Sequence, residues 1–282
     1  MKVDFEEKTY ESYFNNELDS KSSVYFPPGQ VLEGLLGFDA ASNSNNRDLW
    51  RKLGYPFWFF PHFAGVSLLD IAHELEQELD HFIDKIPNIK ANIFLQYKRP
   101  EYITTSNGKE WHHWQAEYFR YHIYTSQHQI LSKIDQSFGD KALVLYASPA
   151  IKSMSELVSL KKNREIINNS NFQKSSKLNN HSKNTYTQAG THSIACSKPE
   201  MLENIDLVSE LRRIEATHDM KNKQFITHTS QVITNNMESS KVFRELMAEY
   251  KEYKEYSLIY AFLTMKVFRE ITGVQWALSI QA

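Results

Sequence analysis

At 282 residues, with 41% hydrophobic and 23% charged residues, the chain has an ordinary globular balance, which excludes global disorder and allows one large core or two smaller domains. Its net charge of −2 supplies no overall basic field, so attraction to nucleic acid has to come from a local patch. The single cysteine, Cys196, excludes a disulfide framework within the chain and a zinc ribbon and fits a reducing, cytoplasmic compartment; the opening residues lack a signal-peptide core, and no apolar run reaches the length of a membrane span.

Residues 1–26 are polar and read as a lead-in. From Pro27 the pattern sharpens: PPGQVLEGLLG predicts a short helix that Gly37 ends, and Phe38-Asp39-Ala40-Ala41 predicts a short strand. Ser42–Asn46 is a loop of turn-forming residues, and the aromatic stretch Trp50–Phe63 has no clean period. Together with the helix that follows, these residues form an insertion over 43–90. Val66–Ile86 spaces Leu68, Leu69, Ala72, Leu75, Leu79, Phe82, Ile83 and Ile86 at helical intervals, and Pro87 ends it.

The apolar run Ala91–Pro100 predicts a strand in which Gln96 and Lys98 share one face and Tyr97 takes the other. Glu117–Tyr124 alternates as a second strand, Ser126–Phe138 reads as a helix stopped by Gly139, and Ala142–Ser148 as a buried strand. Residues 152–200 are poor in apolar side chains. From Lys152 to Gly190 seven Lys or Arg face two Glu, which marks a basic connecting region able to hold a nucleic-acid backbone by charge. Met201–Ile214 and Ser239–Ser279 read as helices of a C-terminal domain over 201–282. Its apolar side chains suit a core or a dimer face.

The chemistry-bearing residues narrow the choice. An Asp on a neighbouring strand, an oxygen ligand and an ammonium side by side suit a divalent cation and a phosphodiester: the cation neutralises developing charge, and the ammonium adds positive charge beside the phosphate. Zinc chemistry is poorly served. His112-His113 are adjacent in sequence, His73-Glu74 lacks the second His of an HExxH pattern, and His192 with Cys196 has no other thiol to assist.

Across 27–151 the element order, with Asp39 upstream and Gln96-Tyr97-Lys98 ending a strand, resembles the restriction-endonuclease-like, PD-(D/E)xK, nuclease superfamily in its QxK variant. The resemblance implies an α/β fold in which a mixed sheet is flanked by helices, here followed by a helical C-terminal region. It implies Mg²⁺, or Mn²⁺, held by Asp39, Gln96 and Glu33, with Lys98 serving the attacking water. It also implies DNA as substrate, a setting in bacterial restriction or antiviral defence, and a homodimer or a partner defence protein, with no membrane. Phe38 stands where the motif has Pro, and the Asp39-to-Gln96 separation is long. Arg120 and His128, near the active face of such a core, and Lys161, Lys162 and Arg164 in the basic stretch are the candidate nucleic-acid contacts. Segments such as FLQYKRP, YFRYHI and LVLYASPAI are also similar to a group of uncharacterised bacterial proteins. The competing class is a non-catalytic module that uses the same fold to bind nucleic acid or protein; the Gln in place of an acid favours it. An assembly protein held by its C-terminal helices is a third class.

Overall fold

The computed structural model describes residues 3–26, 69 and 72–281. The expected helix at 27–36, the strand at Phe38–Ala41 and the aromatic stretch, and with them Glu33 and Asp39, lie outside the described residues.

The chain is mixed α/β, built on two five-stranded sheets. In order along the chain its helices and strands are α1 (Glu7–Lys21), β1 (Val24–Tyr25), α2 (Ala72–Lys85), β2 (Ile89–Tyr97), β3 (Glu101–Ile103), α3 (Trp111–Trp114), β4 (Tyr118–His122), α4 (Thr125–Phe138) and β5 (Ala142–Pro149). They continue with α5 (Met154–Asn163), β6 (Ser170–Lys174), β7 (Lys183–Tyr186), β8 (Ser193–Cys196), β9 (Glu200–Leu202), α6 (Leu207–Arg213), α7 (Asn222–Met237), α8 (Lys241–Glu249), α9 (Ser257–Thr272) and β10 (Gln275–Ile280). The first sheet runs β1-β10-β2-β5-β6 and the second β3-β4-β7-β8-β9. Among the described residues only β2 and β5 pair in parallel, from Asn92 opposite Ala142 to Tyr97 opposite Ala147. The other described pairs are antiparallel.

The first sheet is buried on both faces, which is why β2 and β5 read as unbroken apolar runs. One face of β2 and its neighbours carries Phe94, Val144, Tyr146, Trp276 and Leu278, in a core shared with α2, α4, α7, α8 and α9. The other carries Ile93, Leu95, Tyr97, Leu145 and Ala277, packed with α1, α5 and α6. The second sheet docks on the first through aromatic rings, with Tyr121 stacked on Tyr146 at 6.1 Å. A buried polar seam joins the two sheets as well: Asn184 donates to Asn171 at 3.3 Å, and Gln173 to Ser193 at 3.0 Å.

Several expectations are corrected here. The polar lead-in holds α1, whose Tyr10, Phe14 and Leu18 recur every four residues and are fully buried. Residues 152–200 are folded into both sheets rather than strung between domains: β6 closes one edge of the first, and β7 and β8 extend the second. The C-terminal region is not wholly helical, because β10 lies between β1 and β2 in the first sheet. The expected helix at 201–214 is the end of β9 followed by α6. The strand expected at Glu117–Tyr124 forms, as β4, in the second sheet, while the places beside β2 belong to β10 and β5. Among the described residues no helix is long and apolar enough to cross a membrane.

Candidate active site at the carboxyl ends of the parallel strands

Because β2 and β5 are parallel, their carboxyl ends open at the same end of the sheet, where α/β folds place ligands. Gln96 and Lys98 lie there. They share the face that looks toward α4, while Tyr97 points to the opposite core, where its ring meets Tyr10 and Phe14 of α1.

Gln96 is 2% exposed. Its Nε2 donates to the Tyr97 carbonyl at 3.0 Å, and its Oε1 is buried with no hydrogen-bond partner. A buried amide oxygen left unpaired costs about 1–3 kcal/mol, so such atoms are rare unless something else meets them.

Lys98 follows the last residue of β2 and is anchored there by its backbone N–H, which donates to the Ala147 carbonyl at 2.9 Å. Its side chain is buried. Nζ donates to Gln127 Oε1 at 2.5 Å and lies 5.0 Å from the Tyr124 ring centroid and 5.6 Å from that of Tyr146. Gln127 is held in turn by donating to the Thr272 carbonyl at the end of α9, at 3.0 Å. Burial lowers the Lys98 pKa to about 8, with the nearby Glu7 carboxylate pulling the other way.

Glu7, in the first turn of α1, is the acid that the sequence reading missed. Burial raises its carboxyl pKa, opposed by Lys98 and by the Arg99 N–H that donates to Oε2 at 3.1 Å. Beside it Arg99 pairs with Glu6 at 2.9 Å, and Glu11 pairs with Arg269 at 2.6 Å and Lys8 at 2.7 Å. The four-residue apolar spacing of Tyr10, Phe14 and Leu18 was the available signal for α1. With it read, Glu7 falls in the first turn, one residue off the buried stripe. Among the described residues no group of three His, Cys, Asp or Glu side chains stands ready to hold a metal ion.

The expected nucleic-acid contacts divide. Arg120 is spent on carboxylates, 2.7 Å from Glu101 and 2.8 Å from Glu110. Burial would push the Glu110 carboxyl up, but hydrogen bonds from Lys183, Arg120 and Tyr118 overcome it and hold its pKa at about 2. Arg120 therefore braces the second sheet instead of offering a free cation. His128 is buried, with Nδ1 3.1 Å from the Tyr146 hydroxyl and Nε2 3.0 Å from Asn179 Oδ1; burial holds its pKa below the usual imidazole value. Neither side chain is presented to a phosphate backbone. Lys161, Lys162 and Arg164 are exposed together at the C-terminal end of α5, where Lys161 lies over the Tyr13 ring at 4.1 Å and Lys21 of α1 donates to the Arg164 carbonyl.

Comparisons with protein-family models, curated proteins and solved structures found no match to this chain.

Proposed function

We propose that the protein is a metal-dependent endonuclease that cleaves DNA phosphodiester bonds, working at the carboxyl ends of β2 and β5. The observation that carries this reading is the pairing of the unpartnered Gln96 Oε1 with the buried Lys98 ammonium on one strand end. An acceptor without a donor suits a cation, and an ammonium beside it suits an anion. A phosphodiester gripped against a hard divalent ion supplies both.

The donor set fits Mg²⁺ or Mn²⁺ in kind. Gln96 offers a neutral oxygen, and the half-buried Glu7 offers a carboxylate at the same end of the sheet. Asp39 and Glu33 enter as the charged ligands that the nuclease resemblance implies. When bound, the ion supplies charge neutralisation and a more acidic water. Lys98 stabilises the charge that develops on the phosphate oxygens, its ammonium lying between the buried Tyr146 ring and the exposed Tyr124 ring. The exposed Lys161, Lys162 and Arg164 are suited to holding the DNA backbone. A role in bacterial restriction or antiviral defence, a cytoplasmic setting and a homodimeric or partnered assembly belong to the same reading.

A second reading is favoured by Gln96 itself, which supplies no charge to a metal: a module that binds nucleic acid or protein without cutting. Supercoiled plasmid with Mg²⁺ separates the two. The wild type should nick the plasmid, and Asp39→Ala and Lys98→Ala should each lose at least about 100-fold in rate, as loss of one electrostatic stabiliser costs. Equal nicking by all three proteins would end the nuclease reading. Salt-sensitive DNA binding without nicking would establish the second.

A further inference from the structure

The aromatic wall beneath Lys98 is itself tethered. Tyr146 is opposite Gln96 in the β2–β5 register, is fully buried, and lies with its ring 5.6 Å from Lys98 Nζ. Its hydroxyl meets His128 Nδ1 at 3.1 Å, and His128 Nε2 meets Asn179 Oδ1 at 3.0 Å. The direction of this chain follows from its far end. Asn179 Nδ2 donates to the Ser176 carbonyl at 3.0 Å, and Oδ1 accepts from Ser132 Oγ at 3.1 Å. Oδ1 is thus an acceptor, so His128 Nε2 carries the proton and Nδ1 is left to accept from the Tyr146 hydroxyl.

We propose that His128 is a positioning residue for Lys98: by accepting the Tyr146 hydroxyl proton it fixes the phenol ring whose face carries the ammonium. The start of α4 then constrains Lys98 twice. Gln127 grips Nζ directly, and its neighbour His128 acts through the ring. Without an acceptor the Tyr146 hydroxyl would be a buried donor with nothing to meet, and the ring would turn to find one. A side chain serving only to fill this space needs no acceptor, and leucine would suit it as well.

The inference about position stands apart from the nuclease reading; only its effect on cleavage rests on it. The experiment is proton–carbon correlation NMR of the full, metal-free chain, following the Lys98 ε-methylene, assigned by its loss in Lys98→Arg. In the wild type the two rings should displace this signal upfield from those of exposed lysines. His128→Leu, which keeps bulk and removes the acceptor, should move it back. Tyr146→Phe, which keeps the ring and removes the donor with little risk to folding, should move it in the same direction. His128→Asn, whose Oδ1 stands about where Nδ1 accepts, should keep the wild-type position. A wild-type signal with no displacement, a His128→Leu signal that does not move, or His128→Asn behaving like His128→Leu would each overturn the proposal. On plasmid with Mg²⁺, His128→Leu should lower kcat by about 100-fold with KM unchanged, as misplacement of a reacting group does, and His128→Asn should recover it. The expected NMR pattern in a protein that never cleaves DNA would uphold the positioning and defeat the nuclease reading alone.

Discussion

Lys98 and Gln96 are residues that the fold holds at a cost. An ammonium buried at the end of β2 is short of the water it would have in the unfolded chain, and its pKa of about 8 reports that penalty. The sign of the stability effect follows. Between about 8 and the ordinary lysine value of 10.5 the unfolded chain binds the proton and the folded chain does not, so stability rises with pH through that window. Below about 8 both states carry the proton and the full penalty stands. Lys98→Met should therefore stabilise the metal-free protein at pH 7, by on the order of 2–3 kcal/mol, and flatten the rise between about 8 and 10.5. Urea unfolding across that range checks it, and a destabilised variant would mean that the Gln127 bond and the two rings outweigh desolvation. Arg120 is the contrast, a cation whose two carboxylate partners satisfy it without any ligand. The shared face of Gln96 and Lys98 was legible from strand periodicity alone. The pairing of Arg120 was not, because Glu101 and Glu110 reach it from β3 and the loop before α3, and nothing in the local pattern of β4 announces partners from elsewhere.

At the scale of elements, α9 shows how a helix is held by a side chain from another. Glu76 of α2 sits over its first turn: Oε1 accepts from Ser257 Oγ and from Leu258 N, both at 3.0 Å, and Oε2 accepts from Ile259 N at 3.1 Å. Carboxylate charge at a helix N-terminus adds to these bonds. Glu76→Ala should cost about 1–2 kcal/mol in urea unfolding and Glu76→Gln less, since the amide keeps one acceptor oxygen. Equal losses would assign the effect to the ion pair that Glu76 makes with Lys223 at 3.7 Å. Elements with a strong period were legible. Helix α2 and strand β4 fall within the segments expected for them, and α4, β2 and β5 overrun theirs by one or two residues at one end. Helix α7 was not, because Thr229 and Ser230 stand within its buried stripe of Phe225, Ile226, Ile233 and Met237 and dilute the apolar signal. Strand β10 lies in a segment whose pattern suggests more helix, although Gly273 marks the stop: it takes φ 71°, a conformation that glycine adopts without strain, and its N–H closes α9 on the Arg269 carbonyl.

Over the whole molecule the first sheet is assembled from distant parts of the chain. Its order puts β10, the last strand, between β1, the first, and β2. Ser279 pairs with Val24 on one side and with Ala91 on the other, and Trp276 Nε1 donates to Asn92 Oδ1 at 2.8 Å within the core. Contacts so far apart in sequence carry no local signature, so the division at residue 201 rested on composition, while strand pairing crosses it. The site depends on the same assembly: α1 brings Glu7 toward Lys98 from the start of the chain, and α9 brings the Thr272 carbonyl to Gln127 from near its end. If the sheet is one cooperative unit, its parts should not survive alone. A chain ending at Gly273 would leave the core face of β2 short of Trp276 and Leu278 and would expose the N–H and C=O groups that β10 pairs. That truncation should show no cooperative urea transition and broad amide proton signals, and adding a peptide of residues 274–282 should restore both. A truncated chain that unfolds cooperatively at the wild-type midpoint would instead make β10 an appendage, and would return the C-terminal region to the status of a separate domain.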